Sequence, residues 1–564
     1  MLSSLEIAAT ESATESCESK KPTGPDGSIV THFREILLWP VQLMPLKEGQ
    51  QIHNHWELLE CPGGGPWERL LDEFLIDPCE FQERHYREFV TFLPHVQRVL
   101  YGEGTAGGRA EQRESPIRVY RRKDITQVEI TLEKSPEPIL LHVAHVDLYF
   151  FYDADLVILA LEVFGHDLPL EIVQDLMFLF GRAYPPGWTE SSLPFHCAKV
   201  TWLGKDGRVL AKSDFENREK FLASVCRHRA GAIAAHWEFL LEPMVPHHSG
   251  RAGAIRYRQL EYYRMPIMVY LALDDPGKLT RVDYARLAFA TARGDGKTLP
   301  FSARHLRRFE LDYCYDRYFE GTPREGWYTR IMCCGHALVM TGDARSTFFT
   351  DPERGLLGQF RHQYFVLGLL AHFHKAALLM MSDRLVSAVK RLDISEEASI
   401  RRFRRDIRQI LEIFLRFTHR YWYHEISDQA QFRDVFNMWT RHLGSEQAYR
   451  EVREELHDMG QYLDSDLLRR QSNTMIRLTV VTIAGLIGMT TTGFFGMNLL
   501  AWADAALLDR IIFFFAVLIP TIGLTVYTVV KSRRLAEFLD RLSDERLTSR
   551  KKWTSFRKIW QSTE

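Results

Sequence analysis

The sequence predicts an α+β membrane protein, with an N-terminal cytoplasmic α/β domain, long stalk helices after it and two C-terminal transmembrane helices. Three observations lead there. Up to about Asp351 the chain alternates β-branched apolar runs with helical patterns, punctuated by Gly and Pro clusters. From Gly355 the texture changes to long stretches in which apolar residues recur at steps of three and four. Near the C-terminal end stand two uncharged apolar runs, each about 20 residues long and separated by a short polar connection.

At 564 residues the chain is too long for one hydrophobic core, so two or three folding units are expected. A formal net charge of −2 argues against a nucleic-acid partner, whose basic footprint would show in the total. Hydrophobic residues make up 46% of the chain, ordinary for a globular protein, so any membrane character has to be local. The 8 cysteines form no CxxC pair, and none lies in the apolar C-terminal region. A reduced, cytoplasmic setting for residues 1–470 follows. Residues 1–27 are rich in Ser, Thr, Glu and Lys without an apolar core, and read as a disordered leader, not a signal peptide.

Residues 28–350 form the expected cytoplasmic α/β domain. Ile139–Phe151 and Leu156–Val163 read as two strands joined by turn residues Tyr152–Asp155. Leu168–Phe180 has helical spacing, with Pro169 near its first turn and Gly181 behind it. Met265–Leu273 and Tyr328–Met340 are read as further strands of a mostly antiparallel sheet, and Gly102–Arg113 and His247–Gly253 as exposed loops. Residues 351–474 form the helical and stalk region. In it, Phe360–Val389 is apolar on one face, and Glu396–Tyr423 is rich in Arg on the other. An apolar stripe from Phe432 to Leu467 predicts a helix with a continuous buried face, a break being allowed at Gly444-Ser445.

Leu478–Phe495 holds no charged residue and, with Met475 and Ile476, reaches about 20 residues, enough to cross a bilayer core. The first span is therefore placed at 475–495 and the second at 511–530, with Pro520 tolerated inside it. The connection at 496–510 is short, which forces an antiparallel hairpin. Arg469, Arg470 and Arg477 flank the first span, and Lys531, Arg533 and Arg534 follow the second. The connection carries Asp504 and Asp509 with only Arg510 as a base, so both termini are placed in the cytoplasm by the positive-inside rule. The basic tail at 531–564 interleaves Lys and Arg with Trp553, Phe556 and Trp560, and reads either as a segment on the anionic inner leaflet or as a solvated helix end.

Gly496-Met497-Asn498, at the outer end of the first of two C-terminal spans, resembles the signature of the CorA family of divalent-cation channels and transporters. Ser472–Thr479 resembles that family's entry into its first span, and Gly493 matches the glycine before its aromatic. Two positions depart from the pattern: Phe495 stands where Tyr is usual, and Ile487 where a proline is usual. The N-terminal body is also larger than in typical members. The resemblance implies a homopentamer in the cell (inner or plasma) membrane, with a cytoplasmic funnel, a stalk helix running straight into the pore-lining span, and an outer ring of second spans. It implies transport of Mg²⁺ or a related divalent cation as substrate, with no resident cofactor, and contact with membrane lipid. Family members also hold regulatory Mg²⁺ on cytoplasmic carboxylates. Asp428, Asp434, Asp458, Asp464 and Asp466 are candidates for that role, none of them assigned.

Helical steps back from Asn498 give Gly493, Met489, Leu486, Thr482, Leu478 and Met475 as the pore-lining face. That face is apolar or small, with one hydroxyl and no charge, so it has nothing with which to strip water from Mg²⁺. A hydrated cation is expected to pass, with Met475, Leu478 and Leu486 gating by dewetting. Asn498 would meet the ion through its water shell, Gly496 would make the turn out of the helix, and Met497 would pack that turn. A ZntB-like, proton-coupled Zn²⁺ carrier is the alternative within the class. A non-conducting membrane-anchored binding or scaffold protein is the alternative outside it. No Walker loop, Gly-x-Ser-x-Gly or dinucleotide fingerprint is present, so no enzyme is expected. His142/His145, His372/His374 and Cys333-Cys334-Gly335-His336 lack the partners of a metal site and read as core or turn residues.

Overall fold

The computed structural model describes residues 27–44, 56–60, 65–70, 83–102, 115–393 (except 134, 152–153, 190–193, 252, 254, 262, 294–298 and 321–327), 396–496, and scattered positions between 508 and 527. The chain falls into two units, Met1–Glu454 and Glu455–Glu564. The first unit is built on one 14-stranded sheet. Its strands are β1 (Ile29–Met44), β2 (Trp67–Arg69), β3 (Ile117–Arg122), β4 (Gln127–Leu132), β5 (Ser135–Phe151), β6 (Leu156–Pro169) and β7 (Lys199–Leu203). Then follow β8 (Val209–Lys212), β9 (Val245–Pro246), β10 (Arg256–Gln259), β11 (Ile267–Leu273), β12 (Cys314–Phe319), β13 (Tyr328–Cys333) and β14 (Ala337–Asp343). The main path runs β12-β13-β14-β11-β1-β6-β5-β4-β7-β8. Among the described residues only β9–β10 and β11–β14 pair in parallel, which agrees with the mostly antiparallel sheet expected from the sequence.

Strand β1 holds the centre. It pairs with β6 from Ile29 to Gln42 on one side, and on the other with β11 up to Leu37 and with β10 from Val41. Pro40 falls between those last two partners, where the ladder asks for no amide donor. Alternation along β1 sends Phe33, Leu37, Trp39, Val41 and Leu43 to one face and Arg34, Ile36 and Leu38 to the other. The first face meets an aromatic cluster of Trp39, Phe180, Trp202 and Trp237, with ring centroids 5.5–6.3 Å apart. The β5–β6 hairpin forms as the sequence predicts, with Val143 opposite Val163 and Phe150 opposite Val157. Tyr328–Met340 is not one strand but the β13–β14 hairpin. Gly335 turns the chain with φ +91, a conformation that interrupts an extended run and suits glycine.

Among the helices, α1 (Glu83–Thr91), α2 (Pro94–Tyr101), α3 (Leu170–Leu179) and α4 (Ala235–Leu241) are short. The helical part of the chain is α5 (Phe365–Lys390), α6 (Glu397–Arg420), α7 (Ala430–Leu443) and α8 (Ser445–Gly496). A single π-helical turn, Phe360–Tyr364, precedes α5. The π turn and α5 cover the second face of the sheet, where Tyr149 meets Phe365 and Phe151 stacks on Phe373 at 3.7 Å. The expectation of one apolar face on Phe360–Val389 is corrected here: from Phe365 to Leu378 almost every side chain is buried, because the helix is enclosed by the sheet, α6 and α7. Trp439 of α7 donates to the Gly335 carbonyl at 2.8 Å and sits against Gly368, where a Cβ would meet the indole at 2.7 Å.

Candidate functional site: the long C-terminal helix

α7 stops at Gly444, which adopts the left-handed conformation with φ +66, and α8 begins at the next residue. The break allowed at Gly444-Ser445 is thus a real helix boundary. α8 then runs 52 residues without interruption to Gly496. Within the first unit its start is anchored by Tyr449, which stacks on Trp422 at 4.5 Å and on Phe414 at 5.5 Å. Val452 is buried, as the apolar stripe requires.

Within the second unit, Met475, Leu478, Thr482, Met489 and Gly493 all lie on α8 and share one face by helical spacing. They are solvent-exposed in the single chain: Met475 by 64%, Leu478 by 65% and Met489 by 70%. The space around Gly493 is open. From 475 to 493 the face is about 27 Å long. Thr482 donates its hydroxyl to the Leu478 carbonyl at 2.8 Å, so its oxygen is left as an acceptor. Thr479 and Thr492 bond back into the helix in the same way. The side chain of Leu486 lies outside the described residues, Gly496 is the last residue of the helix, and Met497 and Asn498 fall outside. The leader, most of the Gly102–Arg113 loop, Asp504, Asp509 and the basic tail are outside as well.

A second polar feature, which the sequence reading did not find, lies between the sheet and the π turn of the first unit. Glu162 on β6 accepts from Arg34 Nη1 at 2.5 Å and from Arg361 Nε at 3.0 Å, with His145 Nε2 3.7 Å away. Arg121 grips Asp147 through both oxygens at 2.7 and 2.8 Å. Tyr101 donates to Glu88 at 2.9 Å, and His362 Nδ1 stands 3.3 Å from the same carboxylate. All are buried except His145, which is half-buried. Burial pushes the Glu162 carboxyl up, but the Arg361 and Arg34 guanidiniums outweigh it and hold the group well below the usual carboxylate range. Burial lowers His145 to about 3, so its imidazole is neutral. Two cavities adjoin the cluster, of about 20 and 10 Å³, large enough for single waters and nothing more. Three guanidiniums face three carboxylates, so the seam is balanced and holds the helical layer on the sheet. The available signal was a charge inside each apolar strand run (Arg34, Asp147, Glu162), which sequence periodicity alone does not pair.

His372 and His374 are core residues, whereas His142 is exposed and His145 half-buried. His374 Nε2 bonds the Tyr421 carbonyl at 2.5 Å, while both nitrogens of His372 lack a hydrogen-bond partner among the described residues. His142 stacks on Phe164. Cys334 and His336 flank the Gly335 turn, with Sγ and Nδ1 3.4 Å apart. Among the described residues, no group of three or more His, Cys, Asp or Glu is placed to hold a metal ion. One helix among them, Leu356–Lys390, is long and apolar enough to cross a membrane, and 83% of its apolar window is buried inside the protein.

Residues 384–531 match the family model described as CorA-like Mg²⁺ transporter protein. The match starts in the last two turns of α5, takes in α6, α7 and α8, and ends at Lys531 after the second apolar run. The sheet of the first unit lies ahead of it. No curated protein and no solved structure matches the chain. CorA-like proteins are membrane transporters of divalent cations rather than enzymes, and are generally oligomeric. Through residues 384–531 the chain is similar to the CorA-like Mg²⁺ transporter proteins.

Proposed function

We propose that this protein moves hydrated divalent cations, Mg²⁺ foremost, through a pore lined by α8 residues 475–493 in a homopentamer with both termini in the cytoplasm. The observation that carries the reading is the uncharged face of Met475, Leu478, Thr482, Met489 and Gly493, exposed along an uninterrupted helix inside the family match. An apolar surface of that length needs a cover, and lipid together with further copies supplies one. Waters around a cation point their hydrogens outward, so a lining that binds them has to accept. Thr482, its own hydrogen already given to Leu478, accepts. The Asn498 amide oxygen does the same at the outer mouth. Apolar rings at Met475, Leu478 and Leu486 close the path by dewetting, under control of the cytoplasmic part.

Reconstitution in vesicles tests this. Asn498→Ala is expected to lower Mg²⁺ influx at least tenfold, and unchanged flux would remove the pore assignment. A ZntB-like, proton-coupled Zn²⁺ carrier is the second reading, favoured by Ile487 at the usual proline and Phe495 at the usual tyrosine. Comparing Mg²⁺, Co²⁺, Ni²⁺ and Zn²⁺ with and without a pH gradient separates the two. Absence of flux for every cation, with ligand binding retained by the full chain, would instead favour a membrane-anchored scaffold built on the 14-stranded sheet.

A further inference from the structure

Two helices carry charged stripes of matching spacing and opposite sign. On α6, Arg401, Arg405 and Arg408 are exposed, one and two turns apart, on the side opposite the buried Phe403, Ile407, Ile410 and Phe414. On α8, Glu451, Glu454 and Asp458 are exposed opposite the buried Val452 and Leu456. Neighbouring charges on these helices are used locally: Glu412 pairs with Arg416, and Glu451 accepts from Gln447 at 2.9 Å. Among the described residues, Arg401, Arg405 and Arg408 have no acidic partner, and Glu454 and Asp458 no basic one. Each stripe faces away from the side its own helix buries, so packing within one chain leaves both open.

We infer that α6 of one copy docks antiparallel along α8 of a second copy of this chain, pairing Arg401 with Asp458, Arg405 with Glu454 and Arg408 with Glu451. The register supports that occupant. From 401 the arginines step by four and then three, and from 458 the acids step back by four and then three, so one antiparallel alignment satisfies all three pairs. The same alignment places Leu411 and Leu415, exposed by 38% and 48%, opposite Ala448 and Gly444. Around Gly444 the space is open, so the two leucines find small residues and room. The contact combines a short apolar patch with three charge pairs, all three of which fall in register only in the antiparallel alignment. It rests on the oligomeric part of the function proposed above and not on which ion moves.

Charge exchange tests it on the full-length protein in detergent, with mass read by light scattering on a sizing column at about 0.15 M salt, where exposed pairs are partly screened. R401E/R405E/R408E alone and E451R/E454R/D458R alone are each expected to weaken assembly about 100-fold, because like charges then face each other. The six-fold combination restores the wild-type mass, which also demonstrates that the substituted chain folds. Normal assembly of both triple variants, or a combination no better than either, overturns the inference while leaving an oligomeric wild type intact. A monomeric wild type overturns both this interface and the oligomer it serves. Should the arginine triple assemble normally but lose binding to vesicles containing anionic lipid, the α6 stripe belongs to a lipid surface and the proposed partner is wrong.

Discussion

Replacing Glu35 with Gln isolates one buried charge in the centre of the sheet. Glu35 sits on β1 between Val163 and Val269, is fully buried, and neither carboxyl oxygen has a hydrogen-bond partner among the described residues. Burial raises its pKa from 4.5 to about 8, against a smaller opposing pull from Arg264. Below pH 4.5 the group is neutral in both folded and unfolded chains, and ionisation adds nothing to the cost of its burial. Between 4.5 and about 8 the unfolded chain releases the proton while the folded one keeps it, so stability falls by about 1.4 kcal/mol per pH step. Above about 8 the accumulated loss levels off at about 5 kcal/mol. Gln fills the same space but does not ionise, and its unpartnered amide imposes the same offset at every pH. Tryptophan fluorescence during thermal unfolding of the full chain in detergent follows the nearby Trp39. The gap between variant and wild type is expected to widen steadily in favour of E35Q from pH 5 to pH 8. Parallel pH profiles for the two proteins would mean that Glu35 titrates normally in the fold, and would refute the reasoning.

Three further outcomes follow from particular contacts. Glu162→Gln leaves Arg34 and Arg361 buried without their shared anion and is expected to destabilise the first unit by about 3–5 kcal/mol at pH 7 in the same melt. Because the Glu162 pKa is depressed in the fold, its stabilisation is present above 4.5 and disappears as the pH falls through the folded value, so the two melting curves converge in acid. Gly444→Ala meets no neighbouring atom and is strained only by its positive φ, so a loss of about 1 kcal/mol is expected, with Gly444→Asn losing less. Thr482→Val keeps the helix but removes the acceptor oxygen from the proposed pore face, and should lower cation influx several-fold, whereas Thr482→Ser, which keeps the hydroxyl, should not.

Much of the architecture was legible because each piece had one dominant local signal. The β5–β6 hairpin announced itself through two apolar runs about a turn-rich Tyr152–Asp155, and the α7–α8 boundary through Gly444. β1 was harder to read. Its apolar run is broken by Arg34, Glu35 and Pro40: Arg34 is met by the distant Glu162 and Pro40 by the gap between β11 and β10, while Glu35 is buried without a hydrogen-bond partner among the described residues. The buried seam failed to show for the same reason. Glu162 finds Arg34 128 residues away and Arg361 199 residues away, so no local pattern joins them. Of the candidate site, the spacing of Met475 to Gly493 on one helical face was readable from the chain alone. The back-bonding of Thr482, which decides what its oxygen offers, was not.

Length and hydropathy by themselves do not separate a membrane span from a core helix. Leu356–Lys390 is the described helix that is long and apolar enough to cross a bilayer, yet its side chains are spent inside the first unit, on Phe151, Tyr149, Trp439 and Phe417. A helix whose apolar surface is already buried on every side gains nothing by entering lipid. The stretch of α8 from Met475 onward has the opposite character. Met475, Leu478, Ile483 and Met489 remain at least half exposed, as do Ile512, Ile519 and Leu524 further along. That unspent surface is what requires lipid or neighbouring copies as its solvent, and it lies inside residues 384–531 rather than on the enclosed helix Leu356–Lys390. The membrane assignment therefore rests on which apolar side chains are left uncovered, and a bilayer-depth probe distinguishes the two. A nitroxide at Ile519, in the second apolar run and off the proposed pore face, should be reached by a lipid-soluble quencher, while one at Val386, on the exposed end of α5, should be reached only by a water-soluble one.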